Sequence, residues 1–512
     1  MPRSPFPPAG SPALSLRYTV NGVPAGKTAP HDGAGVYDML KTLFLNPPSF
    51  DGFDGGAGSR YQARREIKSF WYPTWLAQPA ALIPGSKLID APPDGITIDQ
   101  ALDAAVDYDL IVIHTSTPSL GNDIRFVNAL KQRKPEATVG FVGAHVAVLP
   151  EQTLEAAPNI DFVARKEFDF TLKEIAEGAP FKDVVGISYR DRTTNEIVNN
   201  PERPILTDLD QLPFVVNVYK ENLTVENYYI GYLKHPYVSL YTGRGCFSRC
   251  IFCLWPQTIG GHRYRVRSSE HVYEELKLAQ RLFPQVKEFF FDDDTFTDNR
   301  PRAEEIAGKL KTLGITWSCN AKANVPYETL KTMREGGLRL LLVGFESGNQ
   351  QILNNIRKGI RVDRAREFVK NCKRLGIKIH GTFILGLPGE TRETMRQTME
   401  YARELDLDTI QVSLAAPYPG TELYAQAQAN GWLKTDVLTD EHGIQGAAIE
   451  YPDLSRDEIF DAVGKFYRRF YMRPQPILRI VKDMAMDREE AARRLREGYE
   501  FLRFFSQREQ TV

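Results

Sequence analysis

From Lys41 onward the sequence alternates short apolar runs with stretches of helical character, and this alternation limits the fold more than any other feature. The runs at 43–45, 87–89, 110–113, 138–142 and 162–163 end in Pro, Gly, Thr or charged turns, and segments such as 123–133 read as connecting helices. Apolar strands joined by helical crossovers predict a parallel, doubly wound sheet, because the crossovers cover both of its faces. Ligands of such sheets bind at the carboxyl ends of the strands. Those ends carry Asn46-Pro47-Pro48, Thr115-Ser116-Thr117 and Gly143-Ala144-His145, which as bare residues read equally well as ordinary turns.

A polar stretch at 186–213, with Asn-Glu and Asn-Asn turn signals and several prolines, predicts a hairpin and linker. A second series follows at 237–242, 288–291, 316–319, 339–345, 378–385 and 409–414, each run trailed by a plausible helix such as 301–313 or 392–405. Six consecutive βα units predict a partial (β/α)6 barrel with its chemistry on the loops after the strands. Beyond about residue 453 the chain turns helical, with Phe466, Tyr467, Phe470 and Tyr471 interleaved with Arg468, Arg469 and Arg473. This predicts a cap whose aromatic face packs on the barrel, with a surface for a membrane or a greasy substrate as the lesser reading.

The expected organisation is therefore an α/β chain with a loose extension at 1–38, a doubly wound sheet at 39–185, a linker or hairpin at 186–235, the barrel at 236–435 and helices at 436–512. The first 38 residues are rich in Pro, Gly and Ala and lack the pattern of a signal peptide, and Met39 is a candidate start. Lys plus Arg (64) nearly cancels Asp plus Glu (65), so there is no global basic field for nucleic acid. The longest apolar runs fall well short of the ~20 residues of a membrane-spanning helix. Of five cysteines, three lie within 246–253, which is not the even spread of a disulfide framework and points to reducing cytoplasm.

That cluster is Gly245-Cys246-Phe247-Ser248-Arg249-Cys250-Ile251-Phe252-Cys253, directly after the first barrel run. A C-x3-C-x2-C loop can offer three thiolates to three corners of a cubane and leave the fourth iron without a protein ligand, as a reactive centre requires. Zinc would need a fourth soft ligand; His262 is the only near one, and Cys319 or Cys372 could serve only through the fold. An iron–sulfur electron-transfer protein is the non-catalytic alternative, for which an open iron is a poor design. The alternating Arg263, Arg265 and Arg267 read as a solvated edge, or else as a docking site for an electron donor or for anionic cofactor groups.

The triplet, with Phe252 just before its last cysteine, resembles the radical S-adenosylmethionine (SAM) superfamily over residues 237–432. Ordered motifs at the ends of later runs carry the resemblance further: Asp292-Asp293-Asp294-Thr295-Phe296, Asn320-Ala321-Lys322, Gly344-Phe345-Glu346-Ser347-Gly348, Gly386-Leu387-Pro388-Gly389-Glu390 and Ala416-Pro417-Tyr418-Pro419-Gly420. It implies a 4Fe-4S cluster on Cys246, Cys250 and Cys253 whose open iron chelates SAM. Reductive cleavage of SAM then yields a 5′-deoxyadenosyl radical that abstracts a substrate hydrogen. It further implies SAM contacts from Phe252, Asp293, Asn320, Glu346, Ser347, Gly386 and Pro417, and an electron donor such as flavodoxin or ferredoxin.

The amino-terminal motifs, Asn-Pro-Pro, Gly143-Ala144-His145-Val146-Ala147-Val148-Leu149-Pro150-Glu151 and Lys166-Glu167-Phe168, resemble the branch with a cobalamin-binding domain, which includes the anaerobic protoporphyrin cyclases. The D-x-H-x-x-G that supplies a cobalt-ligating histidine in many such domains is missing, so cobalamin is an optional third cofactor, held without that histidine. Its implied contacts are Asn46, Thr115, Ser116, Gly143 and His145. Within the branch, residues 39–512 are similar to hopanoid-biosynthesis radical SAM proteins, which implies contraction of the sugar ring of glucosaminyl-bacteriohopanetetrol to the cyclitol ether. The alternative is a cobalamin-dependent radical methyltransferase or a cyclase acting on another lipid or a tetrapyrrole. Either way the expected setting is cytoplasmic, with peripheral contact to a membrane where a lipid is the substrate.

Overall fold

A computed structural model describes residues 39–50, 69–435, 437–439, 445–486, 491, 495–500 and 503 of the chain. The expected extension at 1–38 lies outside the described residues, as does most of the glycine-rich stretch that follows Phe50. The first sheet contains β1 (Thr42–Asn46), β2 (Lys87–Asp90), β3 (Leu110–His114), β4 (Thr138–Val142), β5 (Phe162–Ala164), β6 (Ile187–Arg190) and β7 (Ile197–Asn199), in the order β2-β1-β3-β4-β5-β6-β7. The pairs from β2 to β5 are parallel, and β6 and β7 are antiparallel. The hairpin expected at 186–213 is thus present, but as the edge of this sheet rather than as a free linker.

β1 and β3 are buried at every position because helices cover both faces. Leu43, Ile111 and Phe141 pack with Phe126 and Leu130 on one side, while Phe44 and Val112 pack with Leu76 and Leu172 on the other. Each such side chain contributes about 1.5–3 kcal/mol when fully buried, which explains the nearly unbroken apolar runs.

After β8 (Tyr237–Leu240) a short antiparallel pair, β9 (Gly243–Arg244) and β10 (Arg265–Val266), brackets the cysteine loop. The second sheet continues with β11 (Glu288–Phe291), β12 (Trp317–Ala321), β13 (Leu338–Glu346), β14 (Lys378–Leu385) and β15 (Thr409–Leu414). Its order, β8-β11-β12-β13-β14-β15, is all parallel and follows the chain, as the repeated βα pattern predicts for an open barrel.

An open barrel has edges, and an edge strand carries unpaired backbone groups that must be covered. The helix Arg456–Tyr471 covers β15: the Val412 N–H donates to the Tyr467 hydroxyl at 2.8 Å and the Ile410 N–H to the Tyr471 hydroxyl at 3.0 Å. Phe466, Tyr467 and Phe470 are buried, with the Phe466 ring 5.3 Å from that of Phe383. These aromatics therefore form the cap and do not face a membrane. At the other edge the Tyr72 hydroxyl donates to the β8 carbonyl of Tyr237 at 2.6 Å.

Two buried, bidentate ion pairs join the first sheet to the barrel. Arg244 binds Asp169 at 2.6 and 3.1 Å, and Arg265 binds Glu167 at 2.8 and 2.6 Å. Arg267 is buried against Glu275 at 2.5 Å, and only Arg263 of the alternating series is exposed. The solvated edge and the docking site read from this series are corrected accordingly: Arg265 and Arg267 spend their donors inside the protein.

Candidate active site

The cysteine loop leaves β9 through Gly245, whose φ of +86° suits glycine, and a Cβ there would collide with the carbonyl oxygen of Arg263. Cys246 and Cys250 are buried and Cys253 is half-buried. One side chain clamps the loop from beneath: Gln257 Nε2 donates to the carbonyls of Cys250, Ile251 and Cys253 at 3.3, 3.1 and 2.7 Å. Its Oε1 accepts the Glu422 N–H at 2.9 Å, tying the loop to the helix that follows β15. Ser248 N–H points at Cys246 Sγ (3.4 Å), and His262 Nδ1 donates to the Ser248 carbonyl at 2.8 Å. His262 therefore braces the loop, while Cys319 and Cys372 are buried elsewhere, in β12 and in the helix Val362–Leu375.

Burial pushes the Cys250 and Cys253 thiols up; Lys358 opposes this at both, while Glu346 and Cys246 add to it at Cys250, and Asp294, Cys250 and Cys246 add to it at Cys253. Buried thiols ionise when a cation core takes up their charge, since thiolates are the form that binds iron. Among the described residues no three His, Cys, Asp or Glu side chains converge on a single-ion position. Three free thiols on one short loop are the soft donor set that three corners of a cubane take, so the chemistry of the residues present fits a cluster.

The other candidate residues fall into two groups. Glu346 and Phe252 stand at the cysteine loop, and Asn320 lies near the carboxyl end of β12. Glu346 ends β13 at φ +61°, a conformation costly for a residue with a side chain, and its Oε1 meets Lys358 Nζ at 2.6 Å. The Lys358 ammonium lies 5.9 Å from the centre of the Phe252 ring. Asn320 donates to the Asp293 carbonyl at 2.8 Å, and its Oδ1 is buried with no hydrogen-bond partner among the described residues. An open acceptor at a strand's carboxyl end fits the ammonium or hydroxyl groups of SAM.

The second group is engaged within the protein. Both Asp293 oxygens are taken, by the Thr242 N–H, the Thr242 hydroxyl and the Tyr264 hydroxyl, each at 2.6 Å. Ser347 Oγ lies 3.0 Å from Thr398 Oγ1 and caps the following turn. Gly386, at φ +84°, begins a turn wrapped by the Glu390 carboxylate, which accepts the N–H groups of Gly386 and Leu387. Burial raises Glu390 to about 8 although those two bonds oppose it. Pro417 is buried in the loop after β15.

At the strand ends of the first sheet, Gly143 has φ +124°, and a Cβ there would strike the Thr115 carbonyl. Ser116 pairs with Ser119, and His145 Nδ1 lies 3.0 Å from Thr117 Oγ1. Asn46 donates to Asp90 at 3.1 Å, while its Oδ1 is buried with no partner among the described residues. That acceptor at the end of β1, and the side-chain-free Gly143 after β4, fit a corrinoid, whose rim carries amide N–H donors. These strand ends face the barrel mouth. The helix Ala144–Val148 abuts the turn Pro256–Gly260, a Cβ on Gly420 would touch Val148, and Trp75 stacks on Trp255 with ring centres 5.6 Å apart. A small cleft of about 10 Å³ lies there, lined by Trp75, Tyr241, Gly243, Arg244, Trp255 and Asp294.

Two sheets, with a thiol loop at the mouth of one and an open acceptor at a strand end of the other, offer two separate places for cofactors. The chain matches the radical SAM superfamily over residues 240–402 and the B12 binding domain over residues 63–176. It is 31% identical to an uncharacterized methyltransferase of Pyrococcus horikoshii over 86% of this chain and 94% of that protein. Cytidylyl-2-hydroxyethylphosphonate methyltransferase of Streptomyces wedmorensis is 28% identical, over 66% of this chain and 70% of that one. The fold is that of the cobalamin-dependent SAM radical enzyme OxsB, solved with aqua-cobalamin and SAM: TM-score 0.66, 16% identity, 90% of this chain and 72% of that one. The chain belongs to the radical SAM superfamily, in the branch that carries a B12-binding domain. A 4Fe-4S cluster and SAM are the cofactors of that family.

Sequence reasoning missed Gln257, Lys358 and the Trp75–Trp255 stack. Gln257 and Trp255 could have been flagged by their place just after Cys253, whereas Lys358 lies 105 positions beyond it, and no local signal links them.

Proposed function

We propose that this enzyme methylates a carbon centre of an organic small molecule, using SAM at the cluster and a corrinoid in the crevice between the two sheets. The observation that carries this reading is the contact of the helix Ala144–Val148, at a strand end of the first sheet, with the turn Pro256–Gly260 that follows the cysteine loop, beside the stacked Trp75 and Trp255. The methyltransferase names of two relatives support it. Cys246, Cys250 and Cys253 hold the cluster; Asn320 and Glu346 orient SAM, and Phe252 walls its site. Asn46 accepts from the corrinoid's rim, with Thr115, Ser116, Gly143 and His145 around it. When bound and reduced by a donor such as flavodoxin or ferredoxin, the cluster would supply the electron that cleaves one SAM, and the corrinoid would carry a methyl group taken from a second SAM, which leaves as S-adenosylhomocysteine. The protein orients the partners and excludes water.

Hopanoid ring contraction is the second reading. It rests on the resemblance of residues 39–512, and one structural feature favours a lipid substrate. The helix Pro474–Met486 exposes Ile477 (47%), Leu478 (67%) and Val481 (55%) along one face, a strip that can rest on a membrane while lipid enters. No helix among the described residues is long and apolar enough to cross a membrane. Anaerobic turnover with candidate substrates, followed by mass analysis, separates the two. S-adenosylhomocysteine with a product heavier by one methylene supports methyl transfer. 5′-Deoxyadenosine with an unmethylated, rearranged glucosaminyl-hopanoid overturns it in favour of ring contraction.

A further inference from the structure

The last residues of β1 and β2, Asn46 and Asp90, stand side by side in parallel register at the carboxyl edge of the first sheet. Both are buried, at 2% and 5% exposure. Asn46 Nδ2 donates to Asp90 Oδ1 at 3.1 Å, and the Tyr228 hydroxyl donates to Asp90 Oδ2 at 2.8 Å. Burial, and after it the Asp90 charge, hold the Tyr228 phenol well above its usual range, so it remains a donor. Tyr72 stacks on Tyr228 with ring centres 4.2 Å apart, and its own hydroxyl is spent on the Tyr237 carbonyl of β8. A stack anchored on the barrel therefore holds the Asp90 carboxylate in place.

An amide side chain presents either its oxygen or its NH2 to a ligand, and the neighbour at its other end decides which. A carboxylate offers acceptors alone, so Asp90 takes the NH2 of Asn46. The Asn46 oxygen is left buried and with no hydrogen-bond partner among the described residues. The backbone adds to this constraint. Pro47 restricts Asn46 to extended conformations, and Pro47 and Pro48 have no N–H that could turn back to its oxygen. A purely structural asparagine at this depth has both ends of its amide satisfied. This one keeps an acceptor unspent at the edge where ligands of such sheets bind.

We propose that Asp90 is a positioning residue that makes the site select amidated corrinoids: by taking the Asn46 NH2 it leaves the Asn46 oxygen for a rim amide and against a rim carboxylate. The proposal rests on the corrinoid reading of this strand end. An amide N–H meets that oxygen as donor to acceptor, whereas a carboxylate there sets two acceptors against each other away from water. Asp90→Asn removes the constraint, because an amide at this position can donate to Asn46 as well as accept from it. Asn46 is then able to turn its NH2 toward the ligand and receive either group.

The experiment measures, by equilibrium dialysis and visible absorbance, the affinity of the full chain for hydroxocobalamin and for its peripheral monocarboxylic acids, each with one rim amide hydrolysed. Parent, D90N, N46A and Y228F are compared. The parent should bind at least one of the acids about tenfold or more weakly than hydroxocobalamin, the scale of a buried acceptor left without its donor. D90N and N46A should bring that ratio to within about twofold of unity, while Y228F, in which Asp90 still accepts from Asn46, should keep the parent's ratio. A merely structural role for Asp90 would weaken every corrinoid by the same factor and leave the ratio unchanged in D90N, which overturns the proposal. So does a parent that binds hydroxocobalamin and all of the acids alike. Should D90N not fold, D90S, whose hydroxyl also donates and accepts, decides by the same ratio. A parent that binds no corrinoid defeats the corrinoid reading itself.

Discussion

Gln257 donates from one amide nitrogen to three carbonyls of the cysteine loop and fixes the curve of a segment that has almost no other regular structure. Leaving buried carbonyls without their donor costs roughly 1–3 kcal/mol. Gln257→Leu should fold, yet lose iron to a chelator several-fold faster than the parent in an anaerobic absorbance assay; equal rates would contradict the clamp. At this scale the cysteines were legible because their spacing is itself the chemistry. Asp293 was legible only as an acid in a strand-end motif, and its complete engagement by Thr242 and Tyr264 depends on contacts 51 and 29 positions away. Lys358 carried no signal, since a lone Lys is usually a surface residue, and Gln257 carried only its place just after Cys253.

The turn after β14 shows an element held by a neutral acid. Glu390 is buried, bonds two backbone N–H groups and titrates near 8 rather than near the ordinary 4.5. Because the folded value is the higher one, the folded state binds the extra proton between the two. The contribution is therefore complete at low pH and is lost as pH rises toward 8, at about 1.4 kcal/mol per pH unit in that window. Glu390→Gln should flatten the dependence and be the more stable form at pH 8, as read from denaturant midpoints between pH 5 and 8; parallel curves for the two proteins would refute it. The strands themselves were legible from apolar runs. The hairpin β6–β7 was visible as a hairpin, but its attachment to β5 was not, because edge pairing leaves no periodic trace. The cap's aromatics were ambiguous in sequence until the Tyr467 and Tyr471 hydroxyls were found on the edge strand.

Across the whole molecule, the paired ions Arg244–Asp169 and Arg265–Glu167 fix the first sheet against the barrel. Removing one partner strands a buried charge, which costs about 3–5 kcal/mol, whereas removing both costs far less. Asp169→Asn should lower the unfolding midpoint clearly and Asp169→Asn/Arg244→Met should recover much of the loss; equal losses would show that the pair does not carry the junction. No sequence pattern announced these contacts, which bridge 75 and 98 positions. Both architectures were legible, but their opposition was not, and the opposition is what turns two ligand-binding sheets into one site.

The claim on which the account depends is that three thiolates hold a cluster whose open iron binds SAM. The most direct test is the EPR spectrum of the anaerobically reconstituted, reduced protein with and without SAM, beside Cys250→Ala. The account predicts a 4Fe-4S signal that changes on adding SAM and is absent in the variant, with 5′-deoxyadenosine formed only by the parent. A signal indifferent to SAM, or one that persists in Cys250→Ala, would contradict it.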